Sequence, residues 1–471
     1  MAAKKKTDHA VTMEKVANLA KRRGFLFGGS EIYGGLQGTY DYGHYGVLLK
    51  QRIKDAWWKA NVQLMDNMVG LDASILMHPK VWEASGHTAN FADALVDDKI
   101  SKKRYRADHL IEDQLGLKVE GLSNEDLTKI FEENEITTPE GKKADWTAVR
   151  SFNLMFKTHA GPIDASGPGT DDAAIYLRPE TAQGIFVDYK EVQATTRKKL
   201  PFGIAQIGKA FRNEITPGKF IFRMREFEQM EIEFFTKPDE AKRWHEWWQQ
   251  ERMRWYVGVL GVDKKKLRLR PHTKDELSHY SAGTSDIEYE FPFGWSELEG
   301  IANRTDYDLG QHQKVSGKDL TYFDEAAGEK YLPYVIEPSC GVDRIVFTVL
   351  CDAYVEEPDE KGDVRTVLKL KPSLAPVSAA VLPLMNKPEL AKLAGEVRNQ
   401  LAERFQVDYD VTGSIGKRYR RQDEIGTPFC CTVDFDSLED EAVTVRDRDS
   451  QKQERVKVAE LADYLDEKIG A

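Results

Sequence analysis

Cysteine is scarce in this sequence of 471 residues, and long apolar runs are absent. The four cysteines, Cys340, Cys351, Cys430 and Cys431, lack the spacing of a disulfide framework or a zinc cluster. No apolar run reaches the roughly 18 residues that a membrane-spanning helix needs. The start, MAAKKKTDHA, is charged and is not followed by the apolar segment of a secretory signal. We therefore expect a protein of the reducing cytoplasm with no membrane partner.

The usual glycine-rich loops that hold nucleotide phosphates are also missing. The segment GTYDYGHYG is rich in glycine, but it lacks the Gly-Lys-Ser/Thr end of a P-loop. No Gly-x-Gly-x-x-Gly follows a strand-like segment. Nucleotide binding through either of these loops is therefore excluded.

The formal net charge is −11 at pH 7, which is unusual for a protein that binds RNA. Net charge governs solubility and long-range steering, however, whereas nucleic-acid binding needs only a local basic surface. Candidate basic patches are residues 197–199, 264–266 and 417–421. An ordinary solvated face is the commoner explanation of such a patch. Composition alone therefore does not decide whether the protein binds nucleic acid.

Length and pattern predict a large body followed by a smaller C-terminal domain. A chain of 471 residues is too long for a single hydrophobic core. We place the body at 1–371, with a peripheral insertion of short helices near 84–160, and the second domain at 372–471. In the body, runs such as FGIAQIGKAFRNE and FRMREFEQMEIEFF favour an α+β fold, an antiparallel sheet with flanking helices. Alternating strands and helices beyond residue 372 predict a small mixed α/β sheet.

The segment 204–235 has the pattern of a ligand-binding surface. As a strand, residues 222–235 would place polar and aromatic side chains on one face and apolar ones on the other. The polar face would carry Arg223, Arg225, Phe227, Gln229, Glu231 and Glu233. Arg212 and Glu214 would share a face of the preceding strand. Arginines bind phosphate oxygens bidentately and an aromatic ring can stack on adenine, so the surface suits ATP. The alternative is an exposed sheet face covered with Arg–Glu ion pairs.

A second informative segment is YVIEPSCGVDRIVFTVL, at 334–350. It predicts a strand followed by a helix that opens at Gly341. Asp343 and Arg344 then lie in the first helical turn, at the end of the sheet. Because an arginine there is unfavourable against the helix dipole, an anionic ligand explains it better than stability does.

Several motifs follow one another in order along the chain. They are GVLLKQRIKDAWWKANV through MHPKVW, ending near Pro79, then RPETAQGIF, IGKAFRNEI, FRMREFEQMEIEFF, ELEGIANRTDYDL, EPSCGVDR and SIGKRYRRQDEIGTPFC. In this order they resemble the class II aminoacyl-tRNA synthetases, and within that class the homodimeric glycyl-tRNA synthetases. FRNE with REFEQME resembles motif 2, GVDR resembles motif 3, and the first segment resembles motif 1 of the dimer interface. One short motif is weak, whereas an ordered set is specific.

The resemblance, which extends from about residue 13 to the C-terminus, implies an activity. The protein would be a homodimer that ligates glycine to tRNA(Gly) with ATP, through a glycyl-adenylate. Arg212 would hold the α-phosphate and the glycine carboxylate, and Arg344 the γ-phosphate. Phe227 would stack on adenine beside Glu214, and Glu297 would help to ligate Mg²⁺ on the phosphates. The other implied ATP-binding residues are Asn213, Phe222, Arg223, Met224, Arg225, Glu226, Leu298, Gly341, Val342 and Asp343.

Glycine offers only an ammonium, a carboxylate and two Cα hydrogens for recognition. Its site must therefore hold the ammonium with carboxylates and leave no room for a methyl group. The resemblance implies Glu180, Glu231 and Glu337 as these acids, with Ser339 beside them and Arg106 near the substrate. The remaining implied substrate-binding residues are Phe227, Glu228, Gln229, Met230, Pro338, Cys340 and Gly341.

Two further expectations concern zinc and tRNA. Many members of the resembled family carry Cys-x-x-Cys where this sequence has Asp98 and Ser101, so no zinc is expected. In the C-terminal domain, a basic loop with an aromatic residue would hold unpaired anticodon bases through phosphate contacts and stacking. That loop comprises Lys417, Arg418, Tyr419, Arg420 and Arg421.

Two alternatives stay open at this stage. One is a class II synthetase with the same anticodon domain but another amino acid, such as threonine, proline or histidine. The other is a non-catalytic nucleic-acid-binding protein on the synthetase fold. Such a protein would be expected to lose the arginines that hold ATP, whereas this sequence keeps Arg212, Arg225 and Arg344.

Overall fold

A computed structural model of the chain describes residues 10–117, 119, 122–160, 174–273, 276–277, 281–358 and 364–470. Its helices are α1 Met13–Arg22, α2 His44–Trp58, α3 Pro79–Ala84, α4 His87–Asn90, α5 Ala107–Leu115, α6 Asn124–Glu133, α7 Ala182–Thr196, α8 Ala241–Arg254, α9 Tyr307–Ser316, α10 Val342–Ala353, α11 Pro388–Ala402, α12 Ile415–Ile425, α13 Ser437–Asp440 and α14 Leu461–Ile469. Its strands are β1 Leu26–Gly28, β2 Tyr40–Tyr42, β3 Met68–Gly70, β4 Ala92–Asp97, β5 Arg104–Arg106, β6 Arg150–Asn153, β7 Lys157–His159, β8 Ala174–Tyr176, β9 Phe202–Phe211, β10 Glu226–Thr236, β11 Leu267–Pro271, β12 Gly283–Phe291, β13 Gly294–Thr305, β14 Tyr322–Asp324, β15 Glu329–Tyr331, β16 Tyr334–Gly341, β17 Tyr354–Pro358, β18 Val364–Leu368, β19 Ala379–Pro383, β20 Val407–Tyr409, β21 Phe429–Val433, β22 Ala442–Asp447 and β23 Gln453–Lys457.

A seven-stranded sheet in the order β11-β12-β13-β16-β10-β9-β3 forms the centre of the body. Its strand pairs are antiparallel except for β3, which runs parallel to β9. Helices α2, α8 and α10 cover one face through a core that includes Trp57, Trp248 and Ile345. Helices α7 and α9 pack near one end of the other face, through Phe186 and Leu309. The predicted antiparallel sheet with flanking helices is thus confirmed.

The predicted strand 222–235 is wrong at its start. Residues Phe220–Phe222 form a 3₁₀ turn, and the strand begins only at Glu226, which pairs with Phe211. Lys219 and Phe220 have φ values of 55° and 58°, so the backbone turns there instead of extending. The residues between the turn and β10 therefore belong to a loop. The predicted common strand face of Arg212 and Glu214 is also wrong, because β9 ends at Phe211.

The insertion contains a small sheet in addition to the predicted short helices. Strands β5, β4 and β6 pair antiparallel, and α5 and α6 pack near them. A separate hydrophobic cluster, which includes Val96, Ile111, Leu127 and Phe131, fills this unit. The strands are only 3 to 6 residues long. Their alternation is too short to stand out in the sequence, which is why only helices were expected.

The C-terminal domain is built on a five-stranded mixed sheet, as predicted. The strand order is β20-β19-β21-β22-β23, and β20, β19 and β21 run parallel. Helices α11 and α14 close its hydrophobic core. The predicted basic loop at 417–421 is wrong, because these residues lie in α12. That helix runs from its N-cap at Ser414 to Gly426, which adopts the left-handed conformation of a helix C-cap.

A hairpin precedes the junction between the body and the C-terminal domain. Strands β17 and β18 pair antiparallel, and the connecting residues 359–363 lie outside the described part of the chain. The Nε–H group of Arg365, in β18, donates a hydrogen bond to Oδ2 of Asp423, in α12 of the C-terminal domain, at 2.8 Å. Leu374, beyond the predicted seam, is buried in the core of the body. The core of the body therefore extends slightly beyond 371/372, while the C-terminal sheet has a hydrophobic core of its own.

Two sequence expectations can be compared directly with the described residues. In the described ranges, no helix is both long enough and apolar enough to cross a membrane. All four cysteines are free and buried. Burial raises the pKa of the thiols of Cys430 and Cys431, the latter to about 12.

Candidate active site

A cavity of about 350 Å³ opens on the face of the seven-stranded sheet that α2, α8 and α10 leave free. Strands β10, β13 and β16, the start of α10 and the loop after β9 supply its walls. Most of the predicted site residues line it, namely Glu180, Arg212, Glu214, Phe222, Arg223, Met224, Phe227, Gln229, Glu231, Glu297, Leu298, Glu337, Ser339, Cys340, Gly341, Asp343 and Arg344. The cavity has an arginine-rich end and an acidic end.

At the arginine-rich end, Arg344 is held across the cavity mouth. Its Nη1 lies 3.2 Å from Oε2 of Glu297, and its Nε donates to the carbonyl of Phe222 at 3.2 Å. The guanidinium also stacks over the ring of Phe222, 4.3 Å from its centroid. The charge of Arg344, opposed by burial, lowers the pKa of the Glu297 carboxyl. Glu297 therefore presents an ionised, half-exposed carboxylate at the edge of the cavity.

Asp343 explains how Arg344 is held in the first turn of α10. Its Oδ1 accepts from Tyr42 Oη at 2.5 Å and from Lys50 Nζ at 3.0 Å, and its Oδ2 accepts from the backbone N–H of Glu228 at 2.8 Å. The carboxylate thereby ties β2, α2 and β10 to the start of α10. Asp343 is thus a structural anchor, and its neighbour is the residue that projects into the cavity.

Between the two ends lies Arg212, just after β9. Its Nε donates to the carbonyl of Pro179 at 3.0 Å. Its guanidinium lies 5.3 Å from the ring centroid of Phe227 and 5.4 Å from that of Phe91. Aromatic faces attract cations, so these two rings hold the guanidinium above the middle of the cavity. A negatively charged ligand placed there would contact it directly.

The acidic end is built across β10 and β16. Glu231 and Ser339 are paired residues of these strands, and Ser339 Oγ donates to Glu231 Oε1 at 2.6 Å. The other oxygen of Glu231 accepts from the backbone N–H of Thr181 at 3.1 Å and from its hydroxyl. Glu337 Oε2 accepts from Arg304 Nη1 at 2.7 Å. Both carboxylates are therefore fixed in position before any ligand binds.

Glu180 completes the acidic end from the start of the segment that leads into α7. Its Oε2 lies 3.4 Å from Nε2 of His87, and its Oε1 accepts from Gln183 Nε2 at 3.0 Å. Burial opposes ionisation of Glu180, but the charges of His87 and Arg304 more than offset it and hold its pKa below the ordinary value. His87 belongs to the insertion, so the insertion contacts this end of the cavity through Glu180.

The acidic end has more negative charge than its own cations balance. Burial, followed by the charge of Glu180, raises the pKa of Glu231. Burial also raises the pKa of Glu337. The charge of Arg304 opposes this rise, and the charges of the neighbouring carboxylates add to it. Raised carboxyl pKa values mark a place where another positive charge would be stabilised. A small cation such as an ammonium group fits this requirement.

Comparisons with known proteins show which family the chain belongs to. A family model for the tRNA synthetase class II core domain (G, H, P, S and T) matches residues 168–353, and an anticodon binding domain model matches residues 378–468. The glycine–tRNA ligase of Geobacillus thermodenitrificans is 57% identical over 467 residues, 98% of each chain. That of Macrococcus caseolyticus is 56% identical over 463 residues, 97% of this chain and 98% of the relative.

The chain belongs to the glycine–tRNA ligase family. A crystal structure of prolyl-tRNA synthetase from Cryptosporidium parvum, complexed with halofuginone and AMPPNP, has a TM-score of 0.63 at 15% identity. The similarity covers 97% of this chain and 75% of that one. At that identity the likeness shows the shared fold alone. The predicted fold class and family are therefore confirmed.

In this member of the glycine–tRNA ligase family, some predicted site residues lie away from the cavity. Glu228 points to the opposite face of β10, where its carboxylate pairs with Lys50 at 3.0 Å and Lys54 at 2.8 Å. Alternation along a strand explains this result, because Phe227 and Gln229 face the cavity. Met230 lies in the hydrophobic core for the same reason.

Other predicted residues act on the backbone or on neighbouring side chains. Arg225 donates to the carbonyls of Glu214 and Gln37 at 3.1 and 2.9 Å. Glu226 pairs with Lys209, and the backbone N–H of Asn213 donates to the carbonyl of Leu154. Pro338 lies in β16 opposite Ile301, and Val342 is in the hydrophobic core. Arg106 forms ion pairs with Asp93 at 3.0 Å and with Asp108 at 2.5 Å. It is thus held within the insertion, outside the cavity lining.

Several residues that contact Glu180, Glu231 and Glu337 were not selected from the sequence, among them Arg304, Thr181 and His87. Arg304 lies in the segment ELEGIANRTDYDL, but only the pairing of β13 with β16 brings it to Glu337. Thr181 follows Glu180 directly, but nothing local indicates that it donates to Glu231. His87 has no local signal for this role, and only the folded insertion brings it to Glu180.

The basic segment of the C-terminal domain presents fewer charges than its sequence suggests. Arg418 is buried and donates to the carbonyls of Pro383 and Leu384 at 2.6 and 3.1 Å. Arg421 pairs with Asp410 at 2.5 Å. The Tyr419 hydroxyl lies 2.6 Å from Oγ1 of Thr432, so its ring is half-buried. The exposed basic residues of α12 in this segment are Lys417 and Arg420.

The loop at Asp98 is closed by hydrogen bonds. Asp98 Oδ1 accepts from the backbone N–H groups of Ile100 and Asp145, both at 3.0 Å, and Oδ2 accepts from that of Ser101 at 3.0 Å. These contacts, with the Ser101 hydroxyl first, lower the pKa of Asp98. An ionised carboxylate therefore joins two segments of the insertion at this position.

Proposed function

We propose that the chain ligates glycine to tRNA(Gly) in two steps, with ATP as the second substrate and glycyl-adenylate as the intermediate. The observation that carries the proposal is one cavity with arginines at one end and three fixed carboxylates at the other. The similarity to glycine–tRNA ligases extends over nearly the whole chain, which supports the same activity. The arrangement also argues against a non-catalytic protein, since Arg212 and Arg344 both project into the cavity.

In the first step, Glu180, Glu231 and Glu337 would hold the ammonium of glycine. The glycine carboxylate would then lie towards Arg212, in the middle of the cavity. A carboxylate oxygen attacks the α-phosphorus of ATP, the bond between that phosphorus and the bridging oxygen breaks, and pyrophosphate leaves. Arg212 and Arg344 stabilise the charge that develops on the phosphoryl oxygens, so catalysis is positioning and electrostatic stabilisation.

Adenine would bind against the ring of Phe227, which lines the cavity beside Glu214. Stacking on an aromatic face and hydrogen bonding to a carboxylate or backbone group would fix the base. In the second step, the terminal ribose hydroxyl of the tRNA attacks the carbonyl carbon of the adenylate. AMP leaves, and the glycyl ester forms without a covalent enzyme intermediate.

The residues present fit a Mg²⁺ ion bound with the triphosphate. Glu297 presents an ionised carboxylate at the cavity edge, and Mg²⁺ takes oxygen ligands from one or two carboxylates and substrate phosphates. The ion would neutralise phosphate charge when bound. Glu297 is the residue that would hold it, and its contact with Arg344 would orient the carboxylate beforehand.

The protein would act as a homodimer in the cytoplasm. Large apolar side chains near β1 and β2 are exposed in the single chain, with Ile32 at 88%, Tyr33 at 87% and Leu36 at 59%. Exposed apolar side chains grouped in one loop are typical of an interaction surface. They lie near α2, which contains the start of the motif 1 segment, and this supports pairing with a second copy.

The tRNA anticodon would bind to the C-terminal domain, near the exposed face of α12. Lys417 and Arg420 are exposed on that helix and can contact phosphates. Arg418 and Arg421 would support the helix through their contacts with the sheet and with Asp410 rather than bind RNA themselves. The family model that matches residues 378–468 supports this assignment.

The proposal is tested by amino-acid-dependent exchange of pyrophosphate into ATP. Glycine should support exchange, whereas alanine, serine, threonine and proline should not. Arg344→Ala should abolish exchange while the oligomeric state is kept, which separates loss of chemistry from loss of fold. Exchange with another amino acid alone would overturn the assignment of glycine. No exchange by a folded wild-type protein would overturn the proposed activity.

A further inference from the structure

Beneath the acidic end of the cavity lies a carboxyl group that does not reach its lining. Glu233 is on β10, two residues beyond Glu231, and its side chain is fully buried. The pairs Glu231–Ser339 and Phe234–Ile336 fix the register of β10 and β16 and thereby place Glu233 opposite Glu337. Neither carboxyl oxygen of Glu233 accepts a hydrogen bond from any donor of the described chain.

The three buried carboxyl groups in this corner are too close to be ionised together. Oxygens of Glu231, Glu233 and Glu337 all lie within 4.8 Å of one another. The nearby cation is Arg304, which also pairs with Asp308 through Nε at 2.7 Å. Like charges in a low-dielectric site strongly disfavour ionisation, so at least one of the three retains a proton.

The hydrogen-bond partners decide which group holds that proton. Glu231 accepts from Thr181 and Ser339, and Glu337 accepts from Arg304. Donors of this kind stabilise an ionised carboxylate. Glu233 has no such donor, so it is the group for which ionisation is least favourable. Across the sheet it pairs with Ile204, which belongs to a hydrophobic cluster shared with α7.

We propose that Glu233 is a neutral carboxylic acid that donates its proton to Glu337 and so positions Glu337 for the ammonium group of glycine. Glu233 is a positioning residue, because it acts through Glu337 and does not line the cavity. Burial, followed by the charge of Glu337, raises the pKa of Glu233 well above its ordinary value, which agrees with the geometry. The inference rests on the proposed glycine-dependent activity.

The charge balance of the occupied site leads to the same assignment. Besides Glu231, Glu233 and Glu337, the end contains Glu180, whose partner is His87. Glycine brings a single ammonium charge into this set. That single charge, even together with Arg304, does not outnumber the three carboxylates that face the cavity, so no positive charge is left for a further anion behind them. A neutral acid at position 233 supplies a hydrogen bond to Glu337 without adding an uncompensated charge.

Two substitutions separate a neutral donor from an ionised ligand. Glu233→Gln keeps the size and a donor group and carries no charge, so it mimics the protonated acid. Glu233→Leu keeps most of the volume but has no donor. Glu337→Gln is the matched control, because it removes the charge of the residue that Glu233 positions. The three variants and the wild type are compared in glycine-dependent pyrophosphate exchange, with KM measured for glycine and for ATP.

We expect Glu233→Gln to keep the KM for glycine within about threefold of the wild type, whereas Glu233→Leu raises it about tenfold or more, the effect of losing a hydrogen bond to a charged group. The KM for ATP should change little in either variant. Glu337→Gln should raise the KM for glycine at least as much as Glu233→Leu. An increase in Glu233→Gln equal to that in Glu337→Gln would overturn the proposal, as would a wild-type KM in Glu233→Leu.

The proton itself is visible in the infrared difference spectrum between the wild type and Glu233→Gln, which needs no activity and no leucine variant. The wild type at neutral pH should show the carbonyl stretch of a buried protonated carboxylic acid, both with and without glycine. Glu233→Gln should lack that band, and its persistence in the variant would overturn the proposal. If the wild type shows no glycine-dependent exchange, the proposed function fails. If exchange is normal but Glu233→Gln behaves like Glu337→Gln, only the role of Glu233 fails.

Discussion

The same chemical change at two arginines of one cavity should have opposite consequences for stability and catalysis. Arg304 is buried, and it donates to Asp308 through Nε and Nη2 at 2.7 and 2.9 Å and to Glu337 at 2.7 Å. Arg344 is partly exposed, and its carboxylate partner Glu297 is half-exposed. Methionine is a suitable replacement at both positions because it keeps the unbranched shape and removes the charge.

The expected magnitudes follow from these contacts. Arg304→Met leaves two buried carboxylates without their cation, and breaking a buried pair in this way costs about 3–5 kcal/mol of unfolding free energy. In Arg344→Met the lost ion pair is largely solvated, so the cost is about 1 kcal/mol or less. For the rate of pyrophosphate exchange the order is reversed. Of these two arginines only Arg344 faces the triphosphate end, so Arg344→Met should lose more exchange activity than Arg304→Met. Arg304→Met should instead raise the KM for glycine, since Glu337 loses its anchor.

Equilibrium urea unfolding followed by tryptophan fluorescence measures the loss of unfolding free energy, because Trp57 and Trp248 lie in the core of the body. Pyrophosphate exchange on the same samples measures the loss of activity and the KM for glycine. Equal destabilisation by the two substitutions would refute the assignment of Arg304 as the buried counter-ion. A normal KM for glycine in a folded Arg304→Met variant would refute its link to Glu337.

Three further predictions address the insertion, the C-terminal helix and pH. His87→Ala removes the histidine partner of Glu180 and should raise the KM for glycine about fivefold, the effect of roughly 1 kcal/mol, in the exchange assay. Lys417→Ala with Arg420→Ala should weaken aminoacylation of tRNA and leave exchange unchanged, with a weaker dependence of tRNA binding on salt. Because the folded pKa of Glu233 is raised, the native state loses stability relative to the unfolded state as pH rises above the ordinary value of 4.5. Glu233→Gln does not titrate, so its melting temperature relative to the wild type should be higher at pH 8 than at pH 5.

Each of these three predictions has a clear contrary result. An unchanged KM in His87→Ala, with His109→Ala as the control from the same insertion, would remove the insertion from the glycine site. Equal loss of exchange and aminoacylation in the α12 variant would argue against a role specific to tRNA. A melting-temperature difference between Glu233→Gln and the wild type that does not change with pH would mean that Glu233 does not hold a proton in the folded protein.

At the acidic end, strand alternation predicted the polar face that carries Glu231, whereas Glu337 was implied by the resemblance alone. The pairing of β10 with β16 then brings the two acids to the same face of the sheet, which neither strand reveals by itself. The loop before β10 could not be predicted in the same way. In the sequence, residues 222–225 continue the alternating pattern of β10. In the structure, the left-handed backbone of Lys219 and Phe220 turns the chain just before them, and no periodic pattern in the sequence reveals such a conformation.

Contacts between distant segments account for the remaining differences. His87 reaches Glu180 only because the insertion folds back onto the body, and Arg304 is matched to Glu337 only by the register of β13 and β16. In α12, the polar composition suggested an exposed basic loop. Arg418 is nevertheless buried because the carbonyls of Pro383 and Leu384 need donors, a requirement that no local pattern reveals.

The most direct test of the account is a crystal structure with glycine and a non-hydrolysable ATP analogue bound together. We predict that the guanidinium groups of Arg212 and Arg344 contact the triphosphate. The glycine ammonium should lie within hydrogen-bonding distance of carboxylate oxygens of Glu180, Glu231 and Glu337. A complex in which the arginines turn away from the phosphates, or in which the ammonium binds outside these three acids, would contradict the account.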